Sequence, residues 1–324
     1  MATSRSWRPS HVLEGPVPAR LDDIEALNQV FSESFTERYH RDGLVGVRVP
    51  FLNPMVWRYA IRDAADGAMI WRGERDEIAA FNIVHRSGVE GWMGPLAVRS
   101  DQQGIGAGTE IVRRGIDWLK VHGAGVIGLE TMPRTMDNIG FYSGAGFVPG
   151  HLTLTVTLDA TYADKPAALF GRLSSRDKDD MLEQCRALVS SLQPGYDHTR
   201  EIQLTDELAL GDTLLVMKGD DLKGFALCHT APLVEGRTRE DLRVLKLTLS
   251  DLSGLDEMVR LLSDLARRSG TRRVSIRMQS DYESAYQRLI ALRGRVRWTD
   301  LRMTLAGYPE RKPERGMVLS NWEI

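Results

Sequence analysis

Leu96-Ala-Val-Arg-Ser-Asp-Gln-Gln-Gly-Ile-Gly-Ala-Gly108 joins an apolar stretch at 92–98 to a helical stripe at 109–122. Gly104, Gly106 and Gly108 stand at alternate positions, which permits a tight turn and lets several backbone N–H groups converge. The helix opening at Thr109 adds its unpaired first-turn donors and the positive end of its dipole. Such a loop serves either as a plain glycine-rich turn or as a cradle for phosphate or pyrophosphate. Two common phosphate binders are excluded. A P-loop needs Gly-Lys-Ser/Thr, and no lysine lies here. A dinucleotide fingerprint needs glycine at 109, which is threonine, although Glu130 stands where its acidic residue would.

Around this loop the first 160 residues predict a mixed α/β unit. A stripe of Ile24, Leu27, Val30, Phe31 and Phe35 predicts a helix over 22–35. Residues 40–57 read as irregular, punctuated by Gly43, Gly46, Pro50 and Pro54. Strands are expected at 68–71 and 78–85 around a turn at 73–76, then at 92–98, 126–131 and 152–158. Helices are expected at 109–122, with Ile111, Val112, Ile116 and Leu119 on one face, and at 137–145.

Residues 159–168, small and polar with Pro166, read as a linker. The chain then alternates again: a helix at 177–192, a hairpin of 214–218 and 222–229, a strand at 245–249, a helix at 256–268 and a strand at 274–278. The two parts match. Ile78-Ala-Ala-Phe-Asn-Ile-Val-His85 aligns with Leu222-Lys-Gly-Phe-Ala-Leu-Cys-His229. Val112, Asp117 and Gly123 align with Val259, Asp264 and Gly270. A tandem repeat follows, with domains at 1–160 and 161–324.

The chain has 324 residues, 42% hydrophobic and 27% charged, which suits two globular cores. Its net charge of −2 excludes a general nucleic-acid or polybasic membrane binder. The longest apolar runs are too short for a membrane span. Residues 1–18 carry no apolar leader core. Cys185 and Cys228 alone make neither a disulfide framework nor a cysteine zinc site. The expectation is a cytoplasmic protein without a metal, its oligomeric state open.

One pattern accommodates the loop without strain: Gln103-x-x-Gly106-x-Gly108. It resembles the acyl-CoA loop of the GNAT acetyltransferase superfamily. The preceding Leu96-Ala97-Val98 agrees, as does Phe141-Tyr142-Ser-Gly-Ala-Gly146-Phe147 further on. The resemblance covers residues 15–158 and, weakly, the second half. The chain departs from it at Thr135, where the family commonly has asparagine; Asn138 lies nearby.

The resemblance implies a two-domain α/β (α+β) protein that takes acetyl-CoA as co-substrate and passes the acetyl group directly to an amine. It implies that acetyl-CoA lies where the strands at 92–98 and 126–131 part. Leu96, Ala97 and Val98 would bind pantetheine, and Gln103, Gly104, Ile105, Gly106, Ala107, Gly108 and Thr109 the pyrophosphate, with Asn138 in support. Tyr142 occupies the position of the proton donor to the departing thiolate; read alone, it is equally a packed aromatic.

An ammonium must lose a proton before it attacks. His85, Glu90 and Glu130 are candidate bases. His85 has a counterpart in His229, and Glu90 in Glu235. Glu130 aligns with Arg277 instead and ends a strand, which makes it the preferred base. The second half looks disabled. Its loop, Leu247-Thr-Leu-Ser-Asp-Leu-Ser-Gly-Leu255, is shorter and keeps one glycine, and no tyrosine stands at 289–294. Residues 40–58, with Phe51, Met55 and Trp57 beside Arg41, Arg48 and Arg58, read either as an acceptor pocket or as core and solvated face. The acceptor expected is a small-molecule amine. A longer acyl-CoA, or a non-catalytic CoA-sensing or partner-binding role, stays open.

Overall fold

The computed structural model describes residues 13–104 and 106–322. Its first half runs β1 (Glu14–Pro18), α1 (Ile24–Arg41), α2 (Pro54–Ala64), β2 (Ala68–Arg72), β3 (Ile78–Ser87), β4 (Glu90–Val98), α3 (Ala107–Val121), β5 (Val126–Thr131), α4 (Met136–Gly144) and β6 (Phe147–Asp159). The second runs β7 (Ala168–Leu169), α5 (Ser175–Leu192), α6 (Thr199–Glu207), β8 (Gly211–Lys218), β9 (Asp221–His229), β10 (Asp241–Leu249), α7 (Leu255–Arg268), β11 (Arg273–Gln279), α8 (Glu283–Ala291), β12 (Arg295–Leu305) and β13 (Met317–Ser320). None of the described helices is long and apolar enough to cross a membrane.

The strands form one mixed sheet in the order β1-β2-β3-β4-β5-β12-β6-β11-β10-β9-β8-β7, with β13 paired to β10. The middle of that order is an exchange. β6 leaves its own unit to pair antiparallel with β11, from Thr153↔Gln279 to Asp159↔Arg273. β12 crosses the other way to pair antiparallel with β5, with Arg302↔Glu130 and Leu301↔Thr131. The two exchanged strands pair with each other. Residues 160–167 form neither helix nor strand, and the sheet runs unbroken across them. β6 and β12 each pair with a strand of the other half, so that neither β11 nor β5 is left with an unpaired edge there.

On one face α3 packs Ile111, Ile116 and Leu119 against Met93, Ile127 and Leu129. On the other, Leu27, Trp57 and Ile61 of α1 and α2 meet Ile70, Phe81 and Ile83. The helices α5 and α6 build a core that reaches across the seam to Trp92, and α7 packs with Val156 of the exchanged β6.

The expected irregular stretch at 40–57 is corrected at its end, where α2 begins. Asn53 Oδ1 accepts from Met55 N at 3.0 Å and Pro54 takes the first helical turn. Asparagine at the N-cap followed by proline is a helix start, not only a break. Trp57 is core rather than pocket: it is fully buried, and its Nε1 donates to Asn28 Oδ1 at 2.7 Å.

Candidate active site

Strands β4 and β5 run parallel from Glu90↔Val126 only as far as Met93↔Leu129. Past that point β4 continues beside β3 alone, with Leu96↔Asn82, Ala97↔Phe81 and Val98↔Ala80. A gap therefore opens between the carboxyl ends of two parallel strands, where open α/β sheets hold ligands. Arg99 N donates to Ala79 O at 2.9 Å. Strand alternation then turns the backbone groups of Ala97 toward β3 and those of Leu96 and Val98 toward the gap.

The loop beyond is braced from within. Gln103 Nε2 donates to Val98 O at 2.8 Å, and Arg41 Nη1 donates to Gln103 Oε1 at 3.0 Å. The Gln103 side chain thus ties the loop to the end of β4 and to α1. Gly104 and Gly106 have φ of +79° and +89°, left-handed values that favour glycine. Among the described residues, and apart from its own chain neighbours, nothing lies within 4 Å of where a Cβ would stand on either. Ala107 and Gly108 open α3, and Thr109 N closes its first turn on Gly106 O at 3.1 Å. Ile105 lies outside the described residues. An open, left-handed turn feeding a helix N-terminus suits an anion.

Tyr142 lies on α4, half-buried between Phe141 and Phe147, at ring separations of 5.1 and 6.2 Å. Burial pushes its phenol up to about 12, so it stays protonated at neutral pH. Asn138 Nδ2 donates to Thr131 Oγ1 at 3.4 Å, at the end of β5. Thr135, fully buried, donates to Asp42 and ties the loop after α1 to the turn before α4.

The proton-accepting role expected of Glu130 is corrected. Glu130 is buried and accepts from Arg277 Nη2 at 2.7 Å, from Arg302 Nη1 at 2.9 Å and from Thr153. Burial pulls its pKa up, but the two guanidinium groups outweigh that and hold it below the usual range. Protonating it would leave two buried cations short of charge. Its repeat counterpart is Arg277, so the exchanged strands bring the two equivalent positions into one ion pair. His85 and Glu90 are also committed. His85 Nδ1 meets Asp63 Oδ2 at 2.6 Å, and its ring stacks on Trp92. Glu90 accepts from Trp322 Nε1 at 2.7 Å and Ser320 Oγ at 2.9 Å, and lies 3.3 Å from Lys246 Nζ. The registers equate Glu90 with Asp241 rather than Glu235, since each begins its parallel pairing.

The second half shows the same parting of strands, but filled. Parallel pairing of β10 with β11 ends at Val244↔Ile276. Beyond it, Lys246 to Leu249 pair antiparallel with β13, from Lys246↔Ser320 to Leu249↔Met317. Tyr282 Oη donates to Val318 O at 3.0 Å and holds the insert. Its loop has no left-handed glycine: Gly254 has φ of −77°. The chain then runs on to Trp322, whose ring lies over Gly128 and against Arg302. Sequence reasoning missed β13 and Trp322, because a four-residue strand without a turn signal shows no periodicity.

The acetyltransferase (GNAT) family model matches residues 24–147. No curated protein sequence matches the chain. A solved structure from Pyrococcus horikoshii, described as an acetyltransferase, is similar over 99% of this chain and 98% of its own at 14% identity and a TM-score of 0.68. A tandem GNAT protein from the clavulanic acid biosynthesis pathway is similar over 93% of this chain and 100% of its own, at 11% identity and a TM-score of 0.57. Saccharomyces cerevisiae N-myristoyltransferase with bound myristoyl-CoA and inhibitors is similar over 95% and 82%, at 12% identity and a TM-score of 0.60. These likenesses concern the fold. The family match over residues 24–147 contains the parted strands and the glycine loop, and the whole chain has the fold of a tandem GNAT protein.

Proposed function

We propose that the first half transfers an acetyl group from acetyl-CoA to the amine of a small acceptor, and that the second half does not turn over. The observation that carries this is the contrast between the gaps: no described strand fills that between β4 and β5, which leads into a left-handed glycine loop, while that between β10 and β11 holds β13. The backbone edge of Leu96 and Val98 would take the pantetheine amides. The N–H groups of 104–108, Ile105 included, would hold the pyrophosphate. Asn138 stands at the end of β5 to support the bound chain.

The neutral amine attacks the thioester carbonyl; the C–N bond forms and the C–S bond breaks. Tyr142 gives its hydroxyl proton to the departing thiolate, and the proton that the attacking nitrogen sheds on becoming an amide restores it through water. With Glu130, Glu90 and His85 each held by buried partners, the ammonium proton leaves to water rather than to a dedicated carboxylate. Negative charge building on the thioester carbonyl oxygen is met by the backbone donors of β4 facing the gap.

The test is mass spectrometry of purified protein with a pooled amine library and, in parallel, acetyl-CoA and longer acyl-CoA thioesters. An acetylated amine supports the reading. Transfer only from a long-chain thioester replaces acetyl with that acyl group. Acyl-CoA binding without any transfer makes the chain a CoA sensor.

A further inference from the structure

The second half closes its strand gap yet keeps a cavity beside it. The cavity, of about 80 Å3, sits at the carboxyl end of β11 and is lined by Gln279, Asp281, Tyr196, Ser320, Arg311 and Lys312 among others. One water needs only about 10–15 Å3, so there is room for a molecule of several atoms. The place is the one where an open sheet holds ligands, and β13 forms a wall through Val318 and Ser320.

Two polar atoms of this lining are left over. Gln279 is 4% exposed, and its Nε2 has no acceptor among the described residues. Asp281 Oδ1 is buried without a donor. The other charges near it are spoken for or stand apart. Glu310 accepts from Arg302 Nε and Nη2 at 2.6 and 2.8 Å, which cancels its charge. Lys312 Nζ donates to the Asp281 backbone oxygen at 2.8 Å, not to its carboxylate. His151 Nε2 is 3.9 Å from the other carboxylate oxygen. Arg311 and Lys312 are exposed and place positive charge at the mouth. A buried donor and a buried carboxylate oxygen are both costly to leave unmade.

We propose that this cavity binds a small zwitterion of the amino-acid type. Its carboxylate accepts from Gln279 Nε2 with Arg311 and Lys312 beside it, and its ammonium donates to Asp281 Oδ1. A lone cation would leave Gln279 unmatched, and a lone anion would face Asp281. The site is separate from the transfer site of the first half and does not depend on that activity.

Calorimetry on the full chain with glycine, methylammonium and acetate tests it, using wild type, Gln279→Leu and Asp281→Asn. Glycine should bind wild type at one per chain. Each variant should lose about tenfold or more in glycine affinity, the scale of one charge-assisted bond. Methylammonium and acetate should each bind wild type at least about tenfold more weakly than glycine. Both variants should unfold as cooperatively as wild type by circular dichroism, which shows that they are folded. No glycine binding, unchanged affinity in both variants, or acetate equal to glycine overturns the proposal. Should a variant not fold, the Gln279 side-chain amide resonance of wild type must shift as glycine is added; a fixed resonance also overturns it. An acceptor amine held only in the first half would be insensitive to Gln279→Leu.

Discussion

Tyr142 and Glu130 show how burial gives two ionisable groups opposite fates. Burial alone holds the Tyr142 phenol at about 12, so it keeps a proton to donate. Tyr142→Phe preserves the packing on Phe141 and Phe147 and removes only the hydroxyl. Steady-state kinetics should show turnover lowered by about 10²–10⁴ with acetyl-CoA affinity unchanged; near-normal turnover would leave Tyr142 a packing residue. In wild type kcat/KM for the amine should climb with pH toward the amine's own pKa, with no enzyme group levelling it near neutrality.

Glu130 is instead kept charged by Arg277 and Arg302. Glu130→Gln should therefore cost stability, about 3 kcal/mol, as a buried pair is broken, and any rate loss should stay constant with pH. The sign follows from its lowered folded pKa. The stabilisation is fully present above the unfolded value of 4.5 and is lost as pH falls through the lower folded value. Chemical denaturation should show wild type and variant converging in acid; a gap unchanged below pH 4.5 contradicts the ion-pair role.

The two loops that follow β4 and β10 differ in backbone more than in composition. Gly106 needs φ of +89°, where a Cβ is strained, whereas Gly254 sits at −77°, which any residue adopts. Gly106→Val should abolish acyl-CoA binding, because the side chain is strained and enters the open space a phosphate would use. Gly254→Val should leave affinity within about a factor of two. With β13 in the second gap, calorimetry should count one acyl-CoA per chain. Two per chain, or loss with Gly254→Val alone, would overturn the assignment of a binding first half and a non-binding second half. Elements with a full period were legible in the sequence: the expectation at 126–131 coincides with β5, and that at 109–122 nearly with α3. The start of α2 was not, because Asn53-Pro54 after Gly43, Gly46 and Pro50 reads equally as a break.

Across the molecule, the chain's last strands hold the halves together. Trp322 lies so close over Gly128 that a Cβ there would stand 2.1 Å from its ring. Gly128→Ala should destabilise by about 1–3 kcal/mol through overpacking. Adding Trp322→Ala should cost less than the two single changes summed, since the alanine methyl then meets no ring. Thermal or denaturant unfolding of the four proteins measures the coupling; strict additivity would mean that the two do not touch. Both lie on strands or tails that meet only because β12 and β13 return to the centre of the sheet.

The loop at 96–108, the order strand–loop–helix–strand around it, and the internal repeat could all be read from residues alone. They rest on local physics: glycine freedom, helical and strand periods, and turn residues, each acting within a few positions. The exchange of β6 and β12, the filling of the second gap by β13 and the pairing of Glu130 with Arg277 could not. Each joins positions far apart in the chain, and a strand edge accepts any backbone that completes its hydrogen bonds. Which strand does so is settled by packing and charge across the folded seam. That is why Glu130 looked like a free carboxylate at a strand end and proved to be half of a buried ion pair.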